Sequence, residues 1–161
     1  METDFSLETT LAAHTYTNHL YHGVYSTKER RPWIESGIVT RLTEITGGII
    51  RKRGGSLLAF NAMPNHVHLL ALFPHTAYIP DMYRDIKAIS SGWLKETFPH
   101  IRGFAWQSGY SSFTVGMATL ERVKTYIRIQ QEHHREKTFE EEIFRLLDES
   151  GIQYDPRYVL D

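Results

Sequence analysis

Two histidines, His66 and His68, stand one residue apart in the stretch Met63-Pro64-Asn65-His66-Val67-His68-Leu69-Leu70. On an extended strand they project from one face, about 7 Å apart along the chain. Two imidazoles at that spacing can reach one ion. Two half-buried histidines with local hydrogen bonds fit the same pattern, so the pair alone leaves both readings open. Further along, Tyr126 and Gln130 lie one helical turn apart. His133 falls within about 20° of Tyr126 on the same wheel. Leu120, Val123 and Ile127 form an apolar stripe to one side. Tyr126, Gln130 and His133 therefore make a mostly polar face, presented either to a site or to solvent.

Specific elements must hold these residues. Pro64-Asn65 is a turn pair between the apolar runs 57–62 and 69–73, which read as a hairpin of central strands. A first strand is expected over 19–27. Pro32 is placed like the first residue of a helix, with Ile34, Ile38, Leu42, Ile45 and Ile49 at helical spacing and Gly54-Gly55 as the stop. Pro80 and Asp81 open a second helix with Met82, Ile86, Ile89, Trp93 and Phe98 on one stripe. Residues 104–115 read as a fourth, interrupted strand. Thr119 is a candidate N-cap for a helix running through His134. Thr138 and Glu141 form a capping box for a last helix carrying Phe139, Ile143, Leu146 and Leu147 and ending at Gly151. Residues 1–18 read as an irregular lead-in.

The order β-α-β-β-α-β predicts an α+β, ferredoxin-like fold: an antiparallel sheet with two helices on one face. The Tyr126 helix and a terminal helix follow it. At 161 residues the chain fits one domain, 1–161, with a core over 19–115, a tyrosine-bearing helix over 119–134 and a last helix over 138–150.

Composition narrows the chemistry. There is no cysteine, which excludes disulfides and thiolate metal sites. No apolar run approaches the ~20 residues of a membrane span, and the polar N-terminus lacks a secretory apolar segment, so a cytoplasmic location and no membrane partner are expected. The net charge is −1, low for a nucleic-acid binder. It is unevenly spread: residues 28–53 hold seven basic against three acidic groups, and residues 138–161 two against seven. Lys28, Arg30, Arg31, Arg51, Lys52 and Arg53 are the leading candidates for nucleic-acid contact. Two solvated faces of opposite sign account for the same pattern.

Taken in order, His66-Val67-His68 on a strand, Trp106-Gln107 with Gly109-Tyr110, then Tyr126-Ile127 with Gln130 and His133-His134 on a helix resemble the HUH-superfamily single-tyrosine transposases of the IS200 type and their REP-associated relatives. The likeness covers roughly His19 to Gly151. It implies that His66 and His68 are the metal-ligand pair, Gln130 the third ligand and Tyr126 the nucleophile, with His133 and Asn65 placed to support them. It implies Mg²⁺ or Mn²⁺, a homodimer, and single-stranded DNA with hairpin ends as substrate, often with one subunit's tyrosine helix serving the other's histidines. Attack by the tyrosine would give a 5′-phosphotyrosine and a free 3′-OH, and strand transfer would reverse that step. Two other readings stand beside it. One is a non-catalytic nucleic-acid-binding module whose Tyr21, Tyr25, Trp106 and Tyr110 stack bases. The other is a metal-dependent nuclease that uses water and tolerates Tyr126→Phe.

Overall fold

The computed structural model describes residues 15–160. The expected lead-in lies outside the described residues up to residue 14, as does Asp161. Four antiparallel strands form one sheet: β1 (His19–Ser26), β2 (Ser56–Met63), β3 (His66–Phe73) and β4 (Ser111–Val115), in the order β2-β3-β1-β4. Helices α1 (Ser36–Lys52) and α2 (Ile79–Thr97) fill the two crossovers. This is the expected ferredoxin-like arrangement, with β3 central. Pro64 and Asn65 form the β2–β3 turn.

Alternation along β3 sorts its side chains into two layers. Val67, Leu69, Ala71 and Phe73 pack with Ile38, Leu42 and Ile50 of α1 and Met82, Tyr83 and Ile86 of α2. His66, His68 and Leu70 point the other way. That second face is covered by α3 (Leu120–Arg128), a single turn α4 (Gln130–His133) and α5 (Phe139–Glu149). Leu20, Leu70 and Val115 pack with Leu120 and Ile127, while Val24 and Phe113 pack with Phe139, Ile143 and Leu147. Each such fully buried apolar side chain contributes about 1.5–3 kcal/mol. Among the described residues no helix is long and apolar enough to cross a membrane.

Strand β2 holds an irregularity. Leu57 pairs with Ala71 and Ala59 with Leu70, so Leu58 is an extra residue. Leu58 and Ala59 both face the second layer, and Asn61 emerges on that layer opposite His68.

Four local expectations are corrected. First, Pro32 does not open α1. The chain stays non-helical up to Glu35, where the Ile34 N–H donates to the Pro64 carbonyl at 2.9 Å instead of entering a helix. Second, the buried stripe of α2 is Met82, Tyr83, Ile86, Ser90 and Leu94. Ile89 is 50 % exposed, and Ser90 takes the inward place because its hydroxyl accepts the Trp106 indole N–H at 3.0 Å. Third, β4 is only five residues long, and the segment before it touches the sheet through one bridge, Thr27 to Trp106. Fourth, the tyrosine-bearing helix is broken at Ile129 (φ −95°, ψ 21°). The Asn61 amide donates to the Ile127 and Arg128 carbonyls at 2.9 and 3.2 Å, satisfying groups that a continuing helix would have paired. At the start of α5 the Thr138–Glu141 capping box is present as expected.

Candidate functional site

His66 and His68 are fully buried on the second face of β3. Their backbone position follows from the apolar alternation of the strand, and their orientation from what holds Nδ1. The His66 Nδ1–H donates to the Asn65 side-chain oxygen at 2.7 Å. His68 Nδ1 is hydrogen-bonded to His22 Nε2 at 2.9 Å. In both rings Nε2 is left for the pocket, the pattern of histidines oriented by a partner behind them.

The pocket converges on one carboxylate. Glu142, buried on α5, places Oε1 2.9 Å from His68 Nε2, 3.5 Å from His66 Nε2 and 3.2 Å from His134 Nε2. Its Oε2 accepts the Tyr126 hydroxyl and lies 3.2 Å from His133 Nε2. The last contact has the distance of an ion pair without the geometry of a hydrogen bond, so the buried His133 Nε2 has no hydrogen-bond partner. Gln130 is fully buried, and its carbonyl oxygen lies 2.9 Å from His134 Nε2. Arg145 donates to the Tyr126 oxygen at 3.1 Å. The Tyr126 ring lies against His68 of its own chain, with centroids 5.8 Å apart.

The electrostatics follow from this burial. Burial lowers the His66 imidazole to about 4, against an opposing pull from Glu142. Burial and the neighbouring His68 lower His22 to about 3. Burial would raise the Glu142 carboxyl, but the surrounding imidazoles of His134, His66 and His68 hold it well below the usual carboxylate range. Burial and then the Glu142 charge push the Tyr126 phenol up, so it is protonated at neutral pH.

The donor set suits a divalent ion. One donor atom each from His66, His68, His134 and Glu142 lies within 4.8 Å of the others, and they mix imidazole nitrogen with carboxylate oxygen. Of the residues singled out from the sequence, the structure brings together His66, His68, Tyr126, Gln130, His133 and Asn65. His134 enters the sequence reading only as part of the family pattern, and Glu142 does not enter it at all. His22 and Asn61 carried no signal beyond strand position.

The six basic candidates split into two groups. Lys28, Arg30 and Arg31 follow β1 and sit beside the hairpin turn, where the Thr27 N–H donates to the Asn65 carbonyl at 2.8 Å. Arg30 pairs with Glu140, and Arg31 with Glu29. Arg51, Lys52 and Arg53 end α1 at the opposite end of the sheet, next to the Ser56–Leu72 pair. Arg53 pairs with Asp85.

Comparison with known proteins gives the site a family. The family described as IS200-like transposase matches residues 15–130. ISDra2 transposase TnpA of Deinococcus radiodurans is 26 % identical over 117 residues, covering 70 % of this chain and 84 % of the relative. A crystal structure from Deinococcus radiodurans R1, described as a transposase, superposes with a TM-score of 0.62 at 27 % identity, covering 74 % of this chain and 95 % of that one. A REP-associated tyrosine transposase bound to a REP hairpin shares the fold, with a TM-score of 0.53 at 16 % identity over 78 % and 74 % of the two chains. The matched residues include the histidine strand, Tyr126 and Gln130, and the chain belongs to the IS200-like transposase family.

Proposed function

We propose that the chain is a metal-dependent transposase acting on single-stranded DNA with hairpin ends, with Tyr126 as its nucleophile. The observation that carries this is the meeting of the Tyr126 hydroxyl with the His66–His68 pair inside one buried pocket, through the two oxygens of Glu142. The phenolic oxygen of Tyr126 bonds to the scissile phosphorus as the bond from phosphorus to the 3′-oxygen breaks. The electron pair leaves on that oxygen, which gains a proton to become a 3′-OH. The DNA stays joined to Tyr126 through its 5′-phosphate, and attack by another 3′-OH on that linkage completes strand transfer. The phenol proton is directed at Glu142 Oε2, and Arg145 holds the phenolic oxygen from the other side.

His66, His68 and Gln130 would hold the divalent ion, Mg²⁺ or Mn²⁺ by resemblance. When bound, the ion supplies charge neutralisation at a non-bridging phosphate oxygen. A cleft of about 460 Å³ beside His66 and His134, lined by Asn65, Lys137 and Phe139 among others, offers a path for the phosphate. The hairpin end is supported by the similarly folded transposase bound to a REP hairpin. We read residues 1–161 as one domain working as a cytoplasmic homodimer. The Tyr126 ring lies against His68 of its own chain, which supports a reading in which each subunit's tyrosine serves its own histidines.

The test is a labelled single-stranded end incubated with Mn²⁺ and run on a denaturing gel. Wild type should give a protein–DNA adduct, and Tyr126→Phe none. Cleavage without an adduct, persisting in Tyr126→Phe, would instead establish a water-using nuclease.

A further inference from the structure

We propose that His134 and Glu142 are themselves metal ligands, and that with them the site selects a nitrogen-preferring transition ion over Mg²⁺. The inference rests on the metal reading of His66 and His68 above. Both added residues lie beyond residues 15–130 matched by the family, in the segment that closes over the sheet.

The geometry points to this set. His68 Nε2, His66 Nε2 and His134 Nε2 stand 2.9, 3.5 and 3.2 Å from the single oxygen Glu142 Oε1. His66 Nε2 and His134 Nε2 are 3.0 Å apart. An ion bonded at ~2.0–2.2 Å to such donors sets neighbouring donors roughly 3–3.5 Å from each other. Four of the six separations thus already match one coordination sphere, and all four atoms lie within 4.8 Å of one another. Their elements hold them there. Asn65 fixes His66, His22 fixes His68, and the Lys137 carbonyl accepts from His134 Nδ1 at 3.0 Å. Phe139 stacks on His66 with centroids 4.2 Å apart, which docks the start of α5 onto the pocket.

The donor count decides the ion. Magnesium prefers an oxygen octahedron and keeps several waters. Three imidazoles and one carboxylate in a buried pocket favour Fe²⁺, Co²⁺ or Zn²⁺, and Mn²⁺ less strongly, over Mg²⁺. The remaining carboxylate oxygen faces Tyr126, so one side chain ties the ion's position to the nucleophile's.

The experiment is a titration of the full chain, free of DNA, with Co²⁺, Mn²⁺ and Mg²⁺, read by calorimetry and by the visible spectrum of Co²⁺. Wild type should bind Co²⁺ and Mn²⁺ at least tenfold more tightly than Mg²⁺. Glu142→Gln and His134→Gln, which keep side-chain volume, should each weaken Co²⁺ at least tenfold and alter its spectrum. Pulsed EPR on the wild-type Mn²⁺ complex needs no variant and should count three imidazole nitrogens. Two nitrogens, or unchanged affinity in both variants, would overturn the inference, as would equal affinity for Mg²⁺. The metal reading itself fails separately, if His66→Ala leaves Co²⁺ binding untouched.

Discussion

Tyr126 donates its hydroxyl to Glu142, sixteen residues further along the same chain, and Glu142 turns its other oxygen to His68. The nucleophile and the histidine strand are thus joined by one carboxylate. Tyr126→Phe removes that bond and leaves the charge of Glu142 less satisfied, at a cost of roughly 1–3 kcal/mol. The variant should melt a few degrees lower, keep Mn²⁺ affinity within about twofold, and form no adduct. Thermal melts and calorimetry check the first two; a tenfold loss of Mn²⁺ affinity would mean that the phenol does more than attack.

The metal-free protein should lose stability between about pH 6.5 and 4. His66 in the folded chain is lowered by burial to about 4, while in the unfolded chain it titrates near 6.5. Below 6.5 the unfolded state binds a proton that the folded state refuses, so stability falls as pH falls through this window. His22, lowered to about 3, extends the same trend downward. The combined loss should reach a few kcal/mol on an order-of-magnitude scale. Urea unfolding at pH 7.5, 5.5 and 4.5 measures it; a midpoint constant across the three would contradict the buried neutral imidazoles.

Asn61→Ala should destabilise by about 1–3 kcal/mol, because the Ile127 and Arg128 carbonyls lose their donor. Asn61→Asp should be no better, since the carboxylate would face two carbonyl oxygens. Both should also slow adduct formation, as the break at Ile129 sets where Gln130 and Tyr126 point. Denaturant titration paired with the gel assay separates the two effects; a stability loss with full adduct yield would confine Asn61 to folding.

Charge reversal at Lys28 and Arg31, beside the hairpin turn, should weaken single-stranded DNA binding and shrink the salt slope by roughly 0.7 per lost phosphate contact. Reversal at Arg51 and Lys52 tests whether DNA also runs to the far end of the sheet. Binding measured across a salt series decides each group independently. Slopes unchanged in both would remove these residues from the interface.

Much of the fold was legible because its signals are local. Pro64-Asn65 marks the hairpin turn, Gly54-Gly55 the end of α1, and Thr138 with Glu141 the cap of α5. The histidine pair was legible from period-two alternation on β3. What stayed hidden depends on long-range contact. Helical spacing favoured Ile89, and only the indole of Trp106 makes Ser90 the inward residue. A continuous helix through His134 was the sound local reading, and Asn61, more than sixty residues earlier, breaks it. Glu142 looked like any acidic residue in a first helical turn, since nothing in its neighbourhood reveals that α5 folds back over the histidines.

The extra residue in β2 makes the site unusually tolerant of one kind of genetic change. Side chains on a strand alternate, so parity decides which face each residue serves. Leu58 and Ala59 share one face and oppose the single residue Leu70, so Leu57 and Phe60 stay toward α1 and α2, and Asn61 toward the layer of His68, with or without the extra residue. Leu58→Ala should leave that parity intact and cost only packing. Loss of codon 58 in frame would join Leu57–Ala71 directly to Ala59–Leu70 as a regular ladder, keeping Asn61 opposite His68 and its hold on α3.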